Sequence, residues 1–195
     1  MRVFLAGASG VIGIRLLPLL VEQGHVVAAM TRSSEKAEQL RGLGGEPVVG
    51  DVFDADRLTE SVTRFRPDAV MHQVTDLPDR LEDLNAAGPS NDRVRTEGTR
   101  NLIAAARAAA AGHFVAQSIA WRPPGRGGVV DLHEQRVLEI GGVVARYGRL
   151  YGPGTYYEDA PPPRPRIQID DAARATPPLL EAPSGIVTLV EPERS

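Results

Sequence analysis

The sequence predicts an α/β protein built on a doubly wound parallel sheet, and three observations carry that prediction. Short apolar runs rich in valine recur along the chain, longer segments of helical period separate them, and glycine, proline or aspartate stands at most of the joins. A parallel strand is buried on both faces, so it reads as a continuous apolar run rather than as an alternation. With 195 residues, 42% of them hydrophobic, the chain is long enough for one domain with a substantial core.

The first strand is Arg2 to Ala6 and its helix Val11 to Gln23, stopped by Gly24; Pro18 inside the helix removes one backbone hydrogen bond and predicts a mild kink. "HVVAAMTR" is the second strand, followed by a helix over Ser34 to Leu43 that Gly44 and Gly45 end. "EPVVGD" is the third strand, after which Asp54 caps a helix reaching Phe65, and "PDAVMHQV" is the fourth. A long helix is expected over Asn91 to Ala111, with Val94, Leu102, Ile103, Ala105, Ala106 and Ala109 on its apolar side. Gly98 interrupts it at a cost of ~1 kcal/mol, which predicts a second backbone passing close by. "GHFVAQSI" is strand five, the loop "WRPPGRGGV" leads to a short helix over Leu132 to Glu139, and "GGVVARYG" is strand six. Beyond Tyr151, "GPGTYYEDAPPPRPR" is too rich in proline for regular structure; a short helix near Asp171 to Leu180 and a strand "GIVTLV" follow.

Composition narrows the function classes. The net charge of −3, with acidic and basic residues mixed along the chain, provides no electrostatic footprint for nucleic acid. No apolar segment approaches the roughly 20 residues of a membrane span, and the N-terminus enters a strand without a leader pattern, which reads as a cytoplasmic protein. Without cysteine there is no thiolate chemistry, and His25, His72, His113 and His133 show no metal-ligand spacing, so no metal is expected.

In "FLAGASGVIG", Gly7, Gly10 and Gly13 close the first strand and open the first helix. A phosphate-binding turn needs a tight bend after a strand, a glycine where backbone touches a pyrophosphate, and a third where helix and strand pack closely. The three glycines fit these roles in order, within a βαβαβ run, and predict a Rossmann-like domain with a dinucleotide on Gly7, Ser9, Gly10, Val11, Ile12 and Gly13. The end of the second strand chooses the dinucleotide. In place of the acidic residue that receives the ribose hydroxyl of NAD stand Thr31, Arg32 and Ser33, and Arg32 is placed for the 2′-phosphate of NADP, with NAD as the alternative. Asp51, followed by Val52, is placed for the adenine amino group. Otherwise Arg32 reads as a solvated loop arginine and Asp51 as a cap or loop aspartate.

Together, "GASGVIG", "GDVFDADRL", "RPDAVMHQVT", "EGTRNLIAAARAAAAGHFVAQS", "RYGRLYGPGT" and "IDDAARAT" resemble the extended and atypical short-chain dehydrogenase/reductases, most nearly the NAD-dependent epimerase/dehydratase family. The resemblance covers nearly the whole chain. It implies that Gln73, Val74 and Thr75 of "HQVT" lie against the cofactor and that "YGPG", Tyr151 to Gly154, passes near the nicotinamide. It also implies that Asp170 and Asp171 are caps and structural hydrogen bonders. The implied division is an NAD(P)-binding domain over 1–155 and a short remnant of a C-terminal substrate-binding region over 156–195.

Two departures from the family stand out. Its Tyr-x-x-x-Lys pair is missing: Arg126 and Val130 occupy the expected slots, Lys36 is the only lysine, and Tyr147, Tyr151, Tyr156 and Tyr157 all come later. Ser118 is the only hydroxyl near the third catalytic position. Most of the substrate-binding region is also missing, which predicts exposed apolar surface and a homodimer or partner complex, with the long helix as one contact. The expectation is therefore NADP(H) binding with little or none of the family's hydride chemistry performed by this chain alone. The alternative is an active NADP-dependent reductase or epimerase on a small carbonyl or nucleotide-sugar substrate, with Tyr151 as substitute acid; His133 and Asp131 are weaker candidates for that role.

Overall fold

The computed structural model describes residues 1–192; the last three residues of the expected C-terminal remnant lie outside the described residues. Seven parallel strands form the central sheet: β1 (Arg2–Ala6), β2 (Val26–Thr31), β3 (Glu46–Val49), β4 (Ala69–His72), β5 (His113–Ile119), β6 (Val143–Tyr147) and β9 (Gly185–Leu189). They lie in the order β3-β2-β1-β4-β5-β6-β9. Two short strands, β7 (Arg149–Tyr151) and β8 (Arg166–Gln168), pair with each other beside it. The helices are α1 (Gly13–Glu22), α2 (Ala37–Gly42), α3 (Ala55–Phe65), α4 (Gly88–Arg93), α5 (Thr99–Ala108), α6 (Gly127–Glu139) and α7 (Ile169–Arg174). The chain order runs outward from β1 to β3 and then returns to β4 on the other side of β1. That reversal opens a crevice between the C-terminal ends of β1 and β4.

The period-2 geometry of the strands divides the core in two. Val3, Leu5, Val27, Ala29, Met71 and Val115 face α1, whose Leu16, Leu17 and Leu20 are fully buried, and Ile169 and Ala172 of α7 join the same layer. Phe4, Ala28, Val70, Phe114 and Val144 face the other way, against Leu58 and Val62 of α3, Leu102 and Ala105 of α5, and Val137 of α6. Both faces of the sheet are covered, as the continuous apolar runs required. No helix among the described residues is long and apolar enough to cross a membrane.

Several local expectations are revised. Helix α1 runs through Pro18 as expected but starts at Gly13 rather than Val11 and ends at Glu22. The long helix begins at Gly88, not Asn91, and contains a π turn over Val94–Gly98 before α5 resumes. What approaches Gly98 is a side chain rather than a backbone: an added Cβ there would stand 3.1 Å from Val52 Cγ2. Helix α6 starts five residues earlier than the glycine-rich sequence predicts, because Arg126, at its N-terminal boundary, is ion-paired with Asp92 of α4. The segment after Tyr151 contains β8, and Pro177–Leu180 is a 3₁₀ turn separate from α7 because two prolines cannot continue an α-helix.

A buried polar chain joins the sheet to the helices on one side. His72 Nδ1 accepts from the backbone of Val74 at 3.2 Å, which leaves its proton on Nε2, directed at Thr99 Oγ1 at 3.1 Å. His133 Nε2 donates to the Gln117 carbonyl at 2.9 Å, so its Nδ1 is the acceptor for the Thr99 hydroxyl at 2.8 Å. With this assignment both rings are neutral, and the Thr99 hydroxyl has the Val94 carbonyl at 3.3 Å as a second acceptor. Burial first, then the neighbouring His133 and Arg95, hold His72 well below the ordinary histidine range; burial chiefly lowers His133. Both depressed values mean that the unfolded chain binds more protons below pH ~6.5, so stability is complete above that value and falls as the pH drops through it. Each ring contributes up to ~1.4 kcal/mol per pH unit. Urea unfolding midpoints at pH 7.5 and 5.5 are expected to differ clearly, with the lower at pH 5.5; equal midpoints would show that these rings do not control acid stability.

Candidate functional site

The crevice is lined at its base by the β1–α1 turn. Gly7 has φ +86°, and an added Cβ would lie 2.6 Å from the carbonyl carbon of Gln73, so both conformation and space demand glycine. Gly13 meets a second constraint, since its Cβ would lie 2.2 Å from the Gly7 carbonyl oxygen. Gly10 donates to that same oxygen at 3.0 Å and accepts from Ile14 at 2.9 Å. Among the described residues, the N–H groups of Val11, Ile12 and Gly13 donate to no protein acceptor, leaving the first turn of a ten-residue helix open to an anion. Ser9 and Thr31 share a hydrogen bond at 2.8 Å, and Thr31 Oγ1 also accepts from Ser33 N at 3.2 Å, which locks the turn to the end of β2.

Around this base stand most of the residues read from the sequence as cofactor contacts, while Asp51 does not line the cleft. Arg32 leaves β2 and is paired at 2.8 Å with Asp76, on the segment after β4, with half of its side chain exposed. Asp76 also accepts from Ser90, and hydrogen bonds from Ser90 and then Arg32 hold its carboxyl below the usual range. Asp51 turns back to accept from Phe53 N at 2.9 Å, the loop role that its sequence also allowed. Val52 lines the cleft and its carbonyl accepts from Asn101 of α5 at 2.9 Å, a support not visible in the sequence. Gln73, Val74 and Thr75 line the opposite wall.

Gln73 sits in a directional chain. Thr176 Oγ1 donates to Ala172 O at 2.7 Å, so it accepts from Tyr147, whose oxygen in turn accepts from Gln73 Nε2 at 3.3 Å. Burial pushes the Tyr147 hydroxyl up to about 12, which removes it as an acid. The chain leaves Gln73 Oε1 buried without a hydrogen-bond partner.

The candidates for proton transfer are not brought together. Ser118 lines the cleft, but its hydroxyl donates to buried Glu134 at 2.6 Å. Burial alone would raise Glu134, yet the hydrogen bonds from Arg146 and Ser118 and the charges of Arg146 and Arg122 outweigh it and lower its pKa. Tyr151 does not line the cleft: its hydroxyl donates to Glu191 beside Arg166, and the first of these contacts raises its pKa. His133 is committed to its buried chain and Asp131 to Arg122 at 2.9 Å. Of the two slots of the missing pair, Val130 is fully buried and Arg126 lines the cleft. Lys36 also lines it, on the β2 side.

The cleft extends well past the glycine turn, with a volume of ≈ 1240 Å³. Its second half is walled by Trp121, Tyr156 and Tyr157 and carries Arg95 and Arg126. Tyr156 reaches across to donate to the Pro78 carbonyl, and Arg149 stacks over Trp121 at 4.8 Å. Arg15, unnoticed in the sequence, anchors this side: it binds Asp170 at 2.9 Å and the Pro153 carbonyl at 2.5 Å, tying α1 to α7 and to the Gly152–Gly154 turn. Asp170 is thus a structural partner, but the cap of α7 is Gln168, which accepts from Asp170 N and Asp171 N.

A glycine turn at the switch point of a doubly wound sheet, with unused N–H groups facing a large cleft, defines a dinucleotide-binding protein. A sequence profile of the NAD(P)H-binding family matches residues 7–123, and the chain belongs to that family. It is 37% identical over 183 residues to a 3-diazoavenalumate denitrifying reductase from a Streptomyces species, a match covering 80% of this chain and 59% of that reductase. Among solved structures, a Thermus thermophilus UDP-glucose 4-epimerase in complex with NAD superimposes with a TM-score of 0.80 at 19% identity, over 99% of this chain and 78% of the epimerase. The Bordetella bronchiseptica enzyme WbmH in complex with NAD+ matches with a TM-score of 0.76 at 18% identity, over 97% and 75%. The chain thus spans about three fifths of the length of that reductase and about three quarters of these two structures.

Two substitutions probe the architecture of the site. Gly7→Ala combines a left-handed conformation with a backbone collision and is expected to lower stability by about 1–3 kcal/mol. Glu134→Ala leaves Arg146 and a buried serine hydroxyl unpaired, while Arg122 keeps Asp131, and is expected to cost about 2–3 kcal/mol. Both are read from chemical denaturation, and a loss under 0.5 kcal/mol for either would mean that the corresponding contact is not formed.

Proposed function

We propose that the chain is an NADP(H)-dependent reductase acting on acceptors that need no proton from a tyrosine–lysine pair. The observation that carries this reading is the single cleft, which joins an open pyrophosphate cradle to an aromatic and arginine-lined second half that holds no tyrosine–lysine pair: the only lysine of the sequence, Lys36, stands on the β2 side, while Tyr157, with no partner for its hydroxyl among the described residues, lies in the second half. The residues assigned to the dinucleotide are Gly7, Ser9, Gly10, Val11, Ile12 and Gly13 at the pyrophosphate, Thr31, Arg32, Ser33, Asp51 and Val52 at the adenosine, and Gln73, Val74 and Thr75 along the wall. When bound, the nicotinamide supplies a hydride. The residues of this chain orient it and exclude water; Ser118 and Tyr151 have their hydroxyl protons held by carboxylates. The match to a Streptomyces denitrifying reductase, an enzyme named for a diazo compound rather than a ketone, supports an acceptor of this kind.

NADP over NAD follows from Arg32. Its exposed pair with Asp76 is worth about 0–1 kcal/mol, whereas a charge-assisted bond to a 2′-phosphate is worth about 1.5–3 kcal/mol. Exchange of one for the other is therefore favourable. NADPH is expected to bind roughly ten- to a hundredfold more tightly than NADH, Arg32→Ala to remove the difference, and Asp76→Asn to strengthen NADPH binding by releasing Arg32. Equal affinities for the two dinucleotides in a fluorescence titration would overturn the assignment. For the activity, NADPH oxidation is measured with aldehydes, ketones, nucleotide sugars and an aryl diazonium salt. Turnover confined to the diazonium arm is the expected result. Rapid ketone turnover would show that a side-chain acid had been overlooked, and firm NADPH binding with no turnover on any acceptor would favour a dinucleotide-binding module without chemistry.

A further inference from the structure

The second half of the cleft holds a buried positive charge that the protein leaves short of partners. Arg95, in the π turn after α4, is 7% exposed, yet among the described residues its guanidinium donates no hydrogen bond. Its carboxylate neighbour is Asp92, with Nη1 3.7 Å from Oδ1, beyond hydrogen-bond reach. Asp92 is shared, since its Oδ2 accepts from Arg126 while its Oδ1 is buried without a hydrogen bond. Arg126 lies against the bare α-carbon of Gly88, where an added Cβ would stand 2.2 Å from its Cζ. All four residues line the cleft.

Two guanidiniums on one carboxylate leave a net charge of one. Of the other ionisable groups nearby, Glu134 is held by Arg122 and Arg146, His72 and His133 are neutral, and Asp79, which also lines the cleft, acts on Tyr156 rather than on Arg95. A guanidinium has five N–H donors and cannot shed its proton, so burying it with so few protein acceptors is costly unless water or a ligand completes the set. A monoanion with two coplanar acceptor oxygens matches both the charge and the fork geometry. A phosphate dianion would overcompensate the charge, and ribose hydroxyls would leave it unbalanced.

We propose that this half of the cleft receives its substrate through a carboxylate, taken up by Arg95 and Arg126 while Asp92 positions the pair, with Trp121, Tyr156 and Tyr157 flanking the organic body. The word substrate rests on the reductase reading above; the anion site does not. The test uses three matched pairs, acetate and acetamide, benzoate and benzamide, cinnamate and cinnamamide, titrated calorimetrically with and without saturating NADP+. In at least one pair the carboxylate is expected to bind tenfold or more tightly than the amide. Arg95→Gln is expected to remove that preference without changing NADP+ affinity, and Arg95→Lys to restore part of it. Arg126→Gln, at a more exposed position, is expected to weaken it by a smaller factor. If Arg95→Gln does not fold, the wild-type comparison and Arg126→Gln decide the matter. No preference for any carboxylate, unchanged affinity in a folded Arg95→Gln, or loss of NADP+ in place of the carboxylate would overturn the proposal. A carboxylate preference that persists in a protein unable to bind or oxidise NADPH would instead overturn the reductase reading and leave the anion site standing.

Discussion

The arrangement depends on the approach of two backbones where the sheet reverses its strand order. Gly7 and the Gln73 carbonyl are so close that even one methyl group would collide with the peptide. That contact fixes the bend of the first turn, the turn fixes the start of α1, and the start of α1 brings the unused N–H groups of Val11 and Ile12 to the crevice wall. Packing and recognition are therefore one constraint here: the glycines that let helix and sheet close together also expose the backbone to a phosphate.

Around this rigid centre the polar interior is wired into connected hydrogen-bond networks. The chain through His72, Thr99 and His133 joins β4 to α5 and α6, and the chain through Gln73, Tyr147 and Thr176 joins β4 to β6 and the turn after α7. Ser118 and Glu134 complete a third network with two arginines. A low-dielectric interior makes such networks stiff when they are satisfied. They also explain why hydroxyls and imidazoles that look reactive in the sequence have no proton to spare.

The fold was legible because strand runs such as "RVFLA" and "FVAQS" carry their burial in composition, and the glycine triplet carries its conformation in spacing. The site was legible only where the backbone itself does the work. Arg15 and Asn101 hold loops far away in sequence, and Arg95 lies in a π turn that no periodicity marks, so their roles emerge only when α1 meets α7, α5 meets the loop after β3, and the π turn meets α4. The early start of α6 escaped for the same reason, since a tertiary ion pair overrides two glycines of poor helix propensity. Tyr151 shows the opposite failure: a family motif placed it at the cofactor, whereas Glu191 and Arg166 engage it on the small β7–β8 sheet.

Trp121, the single tryptophan of the sequence, lies on the cleft wall beneath the Arg149 guanidinium. An indole stacked under a cation and bordering an open cleft is sensitive to what enters beside it. The only indole emission of the 195-residue sequence therefore arises at the site itself, and its intensity or lifetime reports occupancy there before it reports unfolding. Spectroscopically the domain behaves as if it had been labelled at one place by design.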